Sequence, residues 1–205
     1  MKTISLILAM VGGLLFSSTA QANITAISLA SDGDNAIVCP IYTWNGSASE
    51  VTMSISGDQY WQPAHVIGSI QTDSETADPS LTLSSSINND TTFAWTAYIV
   101  NVYMNTTFTI SGAAVSVPGD WSAATTQPIW NGSQYAGQVL FAAGTPVAIG
   151  GQLDFAYTIS FAGATSYSFT QEMIPVPEPG ICSFLAAGAL LLGGVLAGRR
   201  RTKLS

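Results

Sequence analysis

The stretch Leu153-Asp-Phe-Ala-Tyr-Thr-Ile-Ser-Phe161 decides the fold class, because every second residue in it is large and apolar. Such alternation is typical of a β-strand with one face in a core and the other toward solvent. A turn-forming segment, residues 162–165, follows it, and Tyr167 and Phe169 resume the alternation. The sequence therefore predicts two strands joined as a β-hairpin.

The same alternation recurs upstream, from Val51 to Ile55 and from Phe108 to Ile110, whereas Phe93 to Met104 is apolar on both faces and is predicted to be a central strand. No stretch between the two ends of the chain has a helical period. Dipeptides that favour tight turns separate the runs at Asp32-Gly33, Asn45-Gly46, Gly57-Asp58, Asn131-Gly132 and Gly150-Gly151. We therefore predict an all-β domain over residues 23–173, an antiparallel β-sandwich of jelly-roll or immunoglobulin-like topology.

The first 22 residues have the organisation of a secretory signal peptide. Lys2 provides the positive charge, Ile4 to Phe16 form a short apolar region, and Ala20-Gln21-Ala22 is a small-x-small cleavage site. The apolar region is too short for a stable membrane span. We expect residues 1–22 to be removed and residues 23 to about 178 to be exported.

The other end of the chain is predicted to cross a membrane. No charged residue occurs from Gly180 to Gly198, and a helix of that length spans roughly 28 Å, which matches the hydrocarbon core of a bilayer. We assign residues 181–198 to this helix and residues 199–205 to a cytoplasmic tail. The basic residues that would stop transfer are Arg199, Arg200, Arg201 and Lys203.

A short motif precedes this helix, with Val176, Pro177, Glu178 and Pro179 in sequence. With the apolar helix and Arg-rich end behind it, the segment 174–205 resembles the PEP-CTERM sorting signal of exported proteins from bacteria that make extracellular polysaccharide. The resemblance implies recognition by an exosortase, a membrane-embedded transpeptidase-like enzyme, with cleavage near the motif. Residues 174–180 are then the motif and linker, and the protein is first tethered to the inner membrane and later transferred to the cell surface or extracellular matrix.

The distribution of charge excludes several classes of function. Between Thr3 and Gly198 there is no Lys or Arg, while all twelve acidic residues lie in that interval. A domain without cations cannot neutralise phosphates, so nucleic-acid binding is excluded as a function. Phosphate-bearing cofactors are disfavoured for the same reason, and the sequence indicates no cofactor apart from calcium.

Catalytic patterns are weak in this chain. His65 is the only histidine, no Gly-x-Ser-x-Gly elbow is present, and the neighbouring Gln62, Pro63 and Ala64 favour a surface or loop histidine. No spacing selects a pair of carboxylates for glycoside hydrolysis. We therefore expect a non-enzymatic protein, with a secreted polysaccharide hydrolase as one alternative.

Two acidic loops are candidate calcium sites, since Ca²⁺ prefers oxygen ligands. Asp32, Asp34 and Asn35 form the first, although a plain β-turn explains the same residues. A second loop raises the same two alternatives with Asp73, Glu75 and Asp78.

The remaining alternative is a carbohydrate-binding or adhesion module that contacts extracellular polysaccharide. Tryptophans stack on sugars when they are exposed, but in a sandwich they more often belong to the core. The candidates are Trp44, Trp61, Trp121 and Trp130. The primary expectation is an exported surface or matrix protein that carries the sorting signal.

Overall fold

A computed structural model describes residues 22–46, 48–75 and 78–178 of the chain. These residues form β-strands joined by turns and loops. The strands are β1 (Ile24–Ser31), β2 (Ile37–Trp44), β3 (Glu50–Gln59), β4 (Ala64–Thr72), β5 (Ser80–Asn89), β6 (Trp95–Met104), β7 (Phe108–Val117), β8 (Ser122–Trp130), β9 (Tyr135–Val147), β10 (Gln152–Phe161) and β11 (Ser166–Pro177).

The strands form two sheets. The front sheet has the order β1-β4-β11-β6-β9-β8 and the back sheet the order β2-β3-β5-β10-β7. Neighbouring strands are antiparallel except for β3 and β5, which pair in parallel over their whole length. The all-β prediction is confirmed, and the two mainly antiparallel sheets are consistent with a β-sandwich.

The core lies between the two sheets and is filled by the apolar face of each strand. In β10 the alternation seen in the sequence is the alternation of burial, with Phe155 and Tyr157 buried and the polar residues between them half-buried. Rings from opposite sheets meet here. The ring centroids of Tyr98 and Phe141, from the front sheet, lie 5.5 and 4.9 Å from that of Phe155. Such tilted aromatic contacts add to the stabilisation from burial.

The predicted hairpin between β10 and β11 is wrong. Strand β10 pairs with β5 and β7 in the back sheet, whereas β11 pairs with β4 and β6 in the front sheet. The turn at residues 162–165 therefore crosses from one sheet to the other. Phe161 and Tyr167 meet across it in the core at a centroid distance of 4.6 Å. Alternation in the sequence determines which face of a strand is buried, but it does not determine which strand pairs with it.

One predicted turn is also wrong, because Gly57-Asp58 lies inside β3. A Cβ on Gly57 would lie 3.2 Å from the carbonyl oxygen of Val38, so the glycine permits close packing rather than a turn. The other four turn dipeptides do connect strands, and their glycines at positions 33, 46, 132 and 150 all have positive φ. The central strand predicted from Phe93 to Met104 is confirmed as β6, between β11 and β9.

The last strand continues beyond the predicted domain boundary at residue 173. Residues 174–177, assigned from the sequence to the motif and linker, extend β11 and pair with β6. Pairing with β4 stops at Met173, so the edge beside Pro175 and Pro177 is open and needs no donor from either proline.

The described chain ends at Glu178, which is exposed. The predicted signal peptide (except Ala22), Pro179, the predicted helix 181–198 and the basic tail lie outside the described residues. Within the described residues, no helix is long and apolar enough to span a membrane.

Candidate binding surface on the front sheet

Polar side chains form a continuous row across the outer face of the front sheet. Each member lies directly opposite the next in the strand register, and the row crosses five neighbouring strands from β4 to β8. Its members are His65, Glu172, Asn101, Gln138 and Thr126. We call this set the polar row. Directly opposed side chains are within reach of one another, so the row can act as one hydrogen-bonded unit.

Glu172 is the best-anchored member of the polar row. Its Oε2 accepts hydrogen bonds from Asn101 Nδ2 at 2.7 Å and from the Tyr103 hydroxyl at 2.9 Å. Its Oε1 lies 3.5 Å from His65 Nε2. Gln138 Nε2 in turn donates to Asn101 Oδ1 at 2.9 Å. Both carboxylate oxygens are thus engaged, which fixes the side chain between β4 and β6.

Tyr103, which donates a hydrogen bond to Glu172, has a raised pKa. Burial, followed by the hydrogen bond to Glu172 and its negative charge, raises the pKa of Tyr103 to about 12. The tyrosine therefore remains a neutral hydrogen-bond donor to the carboxylate at physiological pH.

At the β4 end of the row, His65 meets the first acidic loop. Asp32 follows β1, and the pairing of Ser31 with Val66 places it beside His65. His65 Nδ1 lies 3.0 Å from Asp32 Oδ2. One ligand atom from each of Asp32, Asp34 and His65 lies within 4.8 Å of the other two. We call these three residues the Asp–His cluster.

The loop itself holds the two carboxylates in place. Asp32 Oδ1 accepts the backbone N–H of Asp34 at 3.2 Å, and Asp34 Oδ1 accepts that of Ala36 at 2.7 Å. The hydrogen bond from Asp34 is the largest cause that lowers the pKa of Asp32, and His65 lowers it further while desolvation opposes both. The predicted turn is therefore present, and both aspartates of the predicted calcium site are exposed.

The second predicted acidic loop is arranged differently. Asp73 accepts hydrogen bonds from the backbone N–H and from Nδ2 of Asn23, both at 2.7 Å. These bonds lower the pKa of Asp73. Among the described residues, Asp73, Glu75 and Asp78 do not converge as a group that could hold a metal ion.

A shallow groove of about 280 Å³ lies at the other end of the polar row. Asn101, Tyr103 and Gln138 line one side, and Ile129, whose surface is 70 % exposed, lines the other. Hydrogen-bonding groups beside an exposed apolar surface can bind a ligand that has both polar edges and an apolar face.

The structure divides the candidate tryptophans into two pairs. Trp61 and Trp130 are more than half exposed, with Trp130 in edge-on contact with Tyr135. Trp121 is buried and donates to the carbonyl of Thr145, while Trp44 packs against the core. Only Trp61 and Trp130 of the four are thus available for stacking on a ligand.

The outer face of the back sheet is lined by small hydroxyl side chains. A concave region of about 450 Å³ lies over β2, β3, β5, β10 and β7. The residues along it include Thr43, Ser54, Ser56, Ser84 and Ser86, with Asp154 as a charged member. Among the residues along this region there is no exposed large apolar side chain such as Ile129, so the front sheet is the better candidate for ligand binding.

Sequence reasoning missed the polar row as a unit. The sequence predicts a surface or loop histidine at position 65. His65 lies partly exposed on the sheet surface rather than in a loop, in β4, and contacts carboxylates that are 33 and 107 positions away in the chain. The arrangement brings an imidazole and three carboxylates together, and the group of Asp32, Asp34 and His65 could hold a cation. Comparisons with protein-family models, with curated proteins and with solved structures find no match.

Proposed function

We propose that this chain is a non-enzymatic exported protein, processed at its C-terminal signal by an exosortase-type enzyme and delivered to the cell surface or extracellular matrix. The observation that supports the proposal is where the sandwich ends. Strand β11 stops at Pro177, and Glu178 follows as an exposed residue at the edge of the domain.

The contacts at the C-terminal end of β11 limit where the chain can be cleaved without disturbing the sheet. The Thr96 hydroxyl donates to the carbonyls of Val176 and Pro177 at 3.3 and 3.2 Å, and the Glu178 N–H donates to the Ala94 carbonyl at 3.3 Å. A cut before Val176 would require this end of β11 to detach from β6. We therefore expect cleavage C-terminal to Pro177, which leaves both sheets whole.

The test compares the mass and location of the full chain in a host with and without an exosortase. We expect a smaller, released form that depends on the enzyme and is lost in Glu178→Ala. The matched control is Glu50→Ala, an exposed glutamate at the start of β3. Unchanged mass and location in Glu178→Ala would remove the main support for the sorting hypothesis.

We propose a jelly-roll topology for the sandwich rather than an immunoglobulin-like one. From β4 onward the chain changes sheet at every connection except that between β8 and β9. The last two strands then insert between earlier ones, β10 between β5 and β7 and β11 between β4 and β6. In an immunoglobulin-like sandwich, by contrast, neighbouring strands A and B, and F and G, share a sheet.

The second candidate function is carbohydrate binding or adhesion, which the groove beside Ile129 favours. Its amide and hydroxyl groups suit sugar hydroxyls, and its apolar wall suits the C–H face of a sugar ring. We expect the full chain to be retarded by neutral polysaccharide in affinity electrophoresis, and Gln138→Ala to abolish the retardation. The control is Gln152→Ala, on the back sheet. Equal retardation of both variants would contradict binding at this groove.

A further inference from the structure

We propose that the Asp–His cluster binds a zinc ion through His65 Nδ1 and one oxygen from each of Asp32 and Asp34. This site shares Asp32 and Asp34 with the calcium site expected from the sequence, but it adds His65 in place of Asn35 and takes a different metal. It does not depend on the sorting hypothesis, because it rests only on the geometry of the front sheet and the β1–β2 loop.

The first argument is the orientation of the imidazole. Glu172 Oε1 lies 3.5 Å from His65 Nε2, and Asn101 and Tyr103 hold the other oxygen of that carboxylate. When a metal takes the lone pair of Nδ1, the proton of the neutral imidazole lies on Nε2, where Glu172 Oε1 can accept it. The lone pair of Nδ1 then points to the side of the ring where Asp32 lies. Carboxylate–histidine pairs of this kind commonly orient histidines that bind zinc.

The second argument is that Nδ1 of His65 has no well-aligned hydrogen bond. This atom is shielded from solvent, and no hydrogen-bond partner is aligned with it. Asp32 Oδ2 lies 3.0 Å away, which is ion-pair contact without hydrogen-bond geometry. An Nδ1 that is shielded from water and out of alignment with the Asp32 carboxylate is only partly compensated for the hydrogen bond to water that it has given up. A cation between Nδ1 and the two carboxylates would satisfy it.

The third argument is spacing. The three ligand atoms lie within 4.8 Å of one another. In a tetrahedral zinc site with ligands at about 2.0–2.2 Å from the ion, the ligand atoms lie about 3.3–3.6 Å apart, so side-chain rotations that draw the three atoms together close the site. Asp32 and Asp34 each have one oxygen bonded to the loop backbone, so the second oxygen of each, with Asp32 Oδ2 already beside His65, can turn to the metal. Their exposure leaves the remaining coordination positions to water.

The choice of metal follows from the ligand types. Calcium takes six to eight oxygen ligands and has little use for an imidazole. An imidazole with two carboxylates suits zinc and neighbouring transition metals. Bound here, the ion would join the β1–β2 loop to β4 and stabilise that edge of the front sheet by mass action.

The test is a zinc titration of the full chain, without a histidine tag, in detergent. Isothermal titration with Zn²⁺ alone is expected to show one ion per chain, and Co²⁺ to give the visible absorption of a tetrahedral site. His65→Gln and Asp34→Asn should each weaken Zn²⁺ binding at least tenfold. Glu172→Gln, a change at a positioning residue, should weaken it about 10–100-fold without changing the stoichiometry. Asp90→Asn, at an exposed aspartate outside the cluster, should change nothing.

Three results would overturn the proposal. They are the absence of saturable Zn²⁺ binding at millimolar concentration, unchanged affinity in Asp34→Asn, or tighter binding of Ca²⁺ than of Zn²⁺ at the same residues. Any of these would leave the cluster as an ion pair between His65 and its carboxylates. Because Asp34 is exposed, its variant is expected to fold even if His65→Gln does not, and melting curves in EDTA check this.

Discussion

Replacing Asn89 by alanine tests whether one buried amide organises the end of the sandwich where β5, β6 and β9 meet. Asn89 is fully buried at the end of β5. Its Nδ2 donates to the carbonyls of Phe93, Val147 and Ala148 at 3.0–3.1 Å. Its Oδ1 accepts from both the N–H and the hydroxyl of Thr91, at 3.1 and 2.6 Å.

The expected cost follows from the groups that lose a partner. Alanine leaves the buried Thr91 N–H without its partner and removes the amide bonds to the carbonyls of Val147 and Ala148, of which Ala148 keeps its bond from the Gly151 N–H. Each buried group left unsatisfied costs about 1–3 kcal/mol, so the variant should lose about 2–5 kcal/mol of the free energy of unfolding. That is a large part of the about 5–15 kcal/mol that stabilises a typical domain. The backbone bonds of residue 89 to Gly150 and Gly151 remain, so the loss reports the side chain.

The matched control is the neighbouring residue of the same type. Asn88 is exposed and its amide donates to Asp58 at 2.7 Å, so Asn88→Ala should change stability by no more than about 0.5 kcal/mol. Urea unfolding followed by tryptophan fluorescence gives both values, because Trp95 is buried beside this network. Equal midpoints for the two alanine variants would refute the reasoning.

Three further predictions concern packing and pH. Gly68→Ala should cost about 3 kcal/mol, because a Cβ there would lie 1.8 Å from a backbone carbonyl oxygen of β1. Gly119→Ala should be nearly neutral in thermal melts, because a Cβ there would make only an ordinary contact of 3.6 Å with the Ser116 carbonyl oxygen. The side-chain and backbone hydrogen bonds of Thr145 lower the pKa of Asp120, so their stabilisation is present above about pH 4 and lost as the pH falls through the lowered pKa. Asp120→Asn should therefore reduce the acid sensitivity of the melting temperature. The pKa of Tyr103 is raised to about 12. The contribution of its neutral hydroxyl to the free energy of unfolding is therefore complete below about pH 10 and is lost between about pH 10 and 12. Tyr103→Phe should show a smaller fall in stability over that interval, and an identical fall would contradict the assignment.

The sequence predicts the strands of this fold better than their partners. The alternation around Phe155 correctly identifies β10, because burial of one strand face needs only local spacing. The partner of β10 depends on contacts with β5 and β7, whose sequence signals are no different from those of β11. The turn at 162–165 is compatible with a hairpin and with a crossing between sheets, and only packing of the whole core decides between them.

The candidate site shows the same limit. Asp32 and Asp34 could be found from the sequence because they are close in the chain and belong to one turn. Glu172 could not be assigned to them, because its place opposite His65 depends on the register of β11 against β4. That register is fixed by the buried residues on the other face of the strand. Because the polar row has one residue on each strand, it gives no local pattern in the sequence.

The position of β11 also determines how the domain would carry a mechanical load. The strand lies between β4 and β6, and its C-terminal end leads directly to Glu178. A pull on that end acts along the strand axis, so the hydrogen bonds of both flanking ladders are strained together in shear rather than opened one at a time. Resistance to such a pull is set by the unfolding rate rather than by equilibrium stability. If the chain is anchored by its C-terminus in flowing water, the load would therefore fall on β11, which is hydrogen-bonded to a strand on each side.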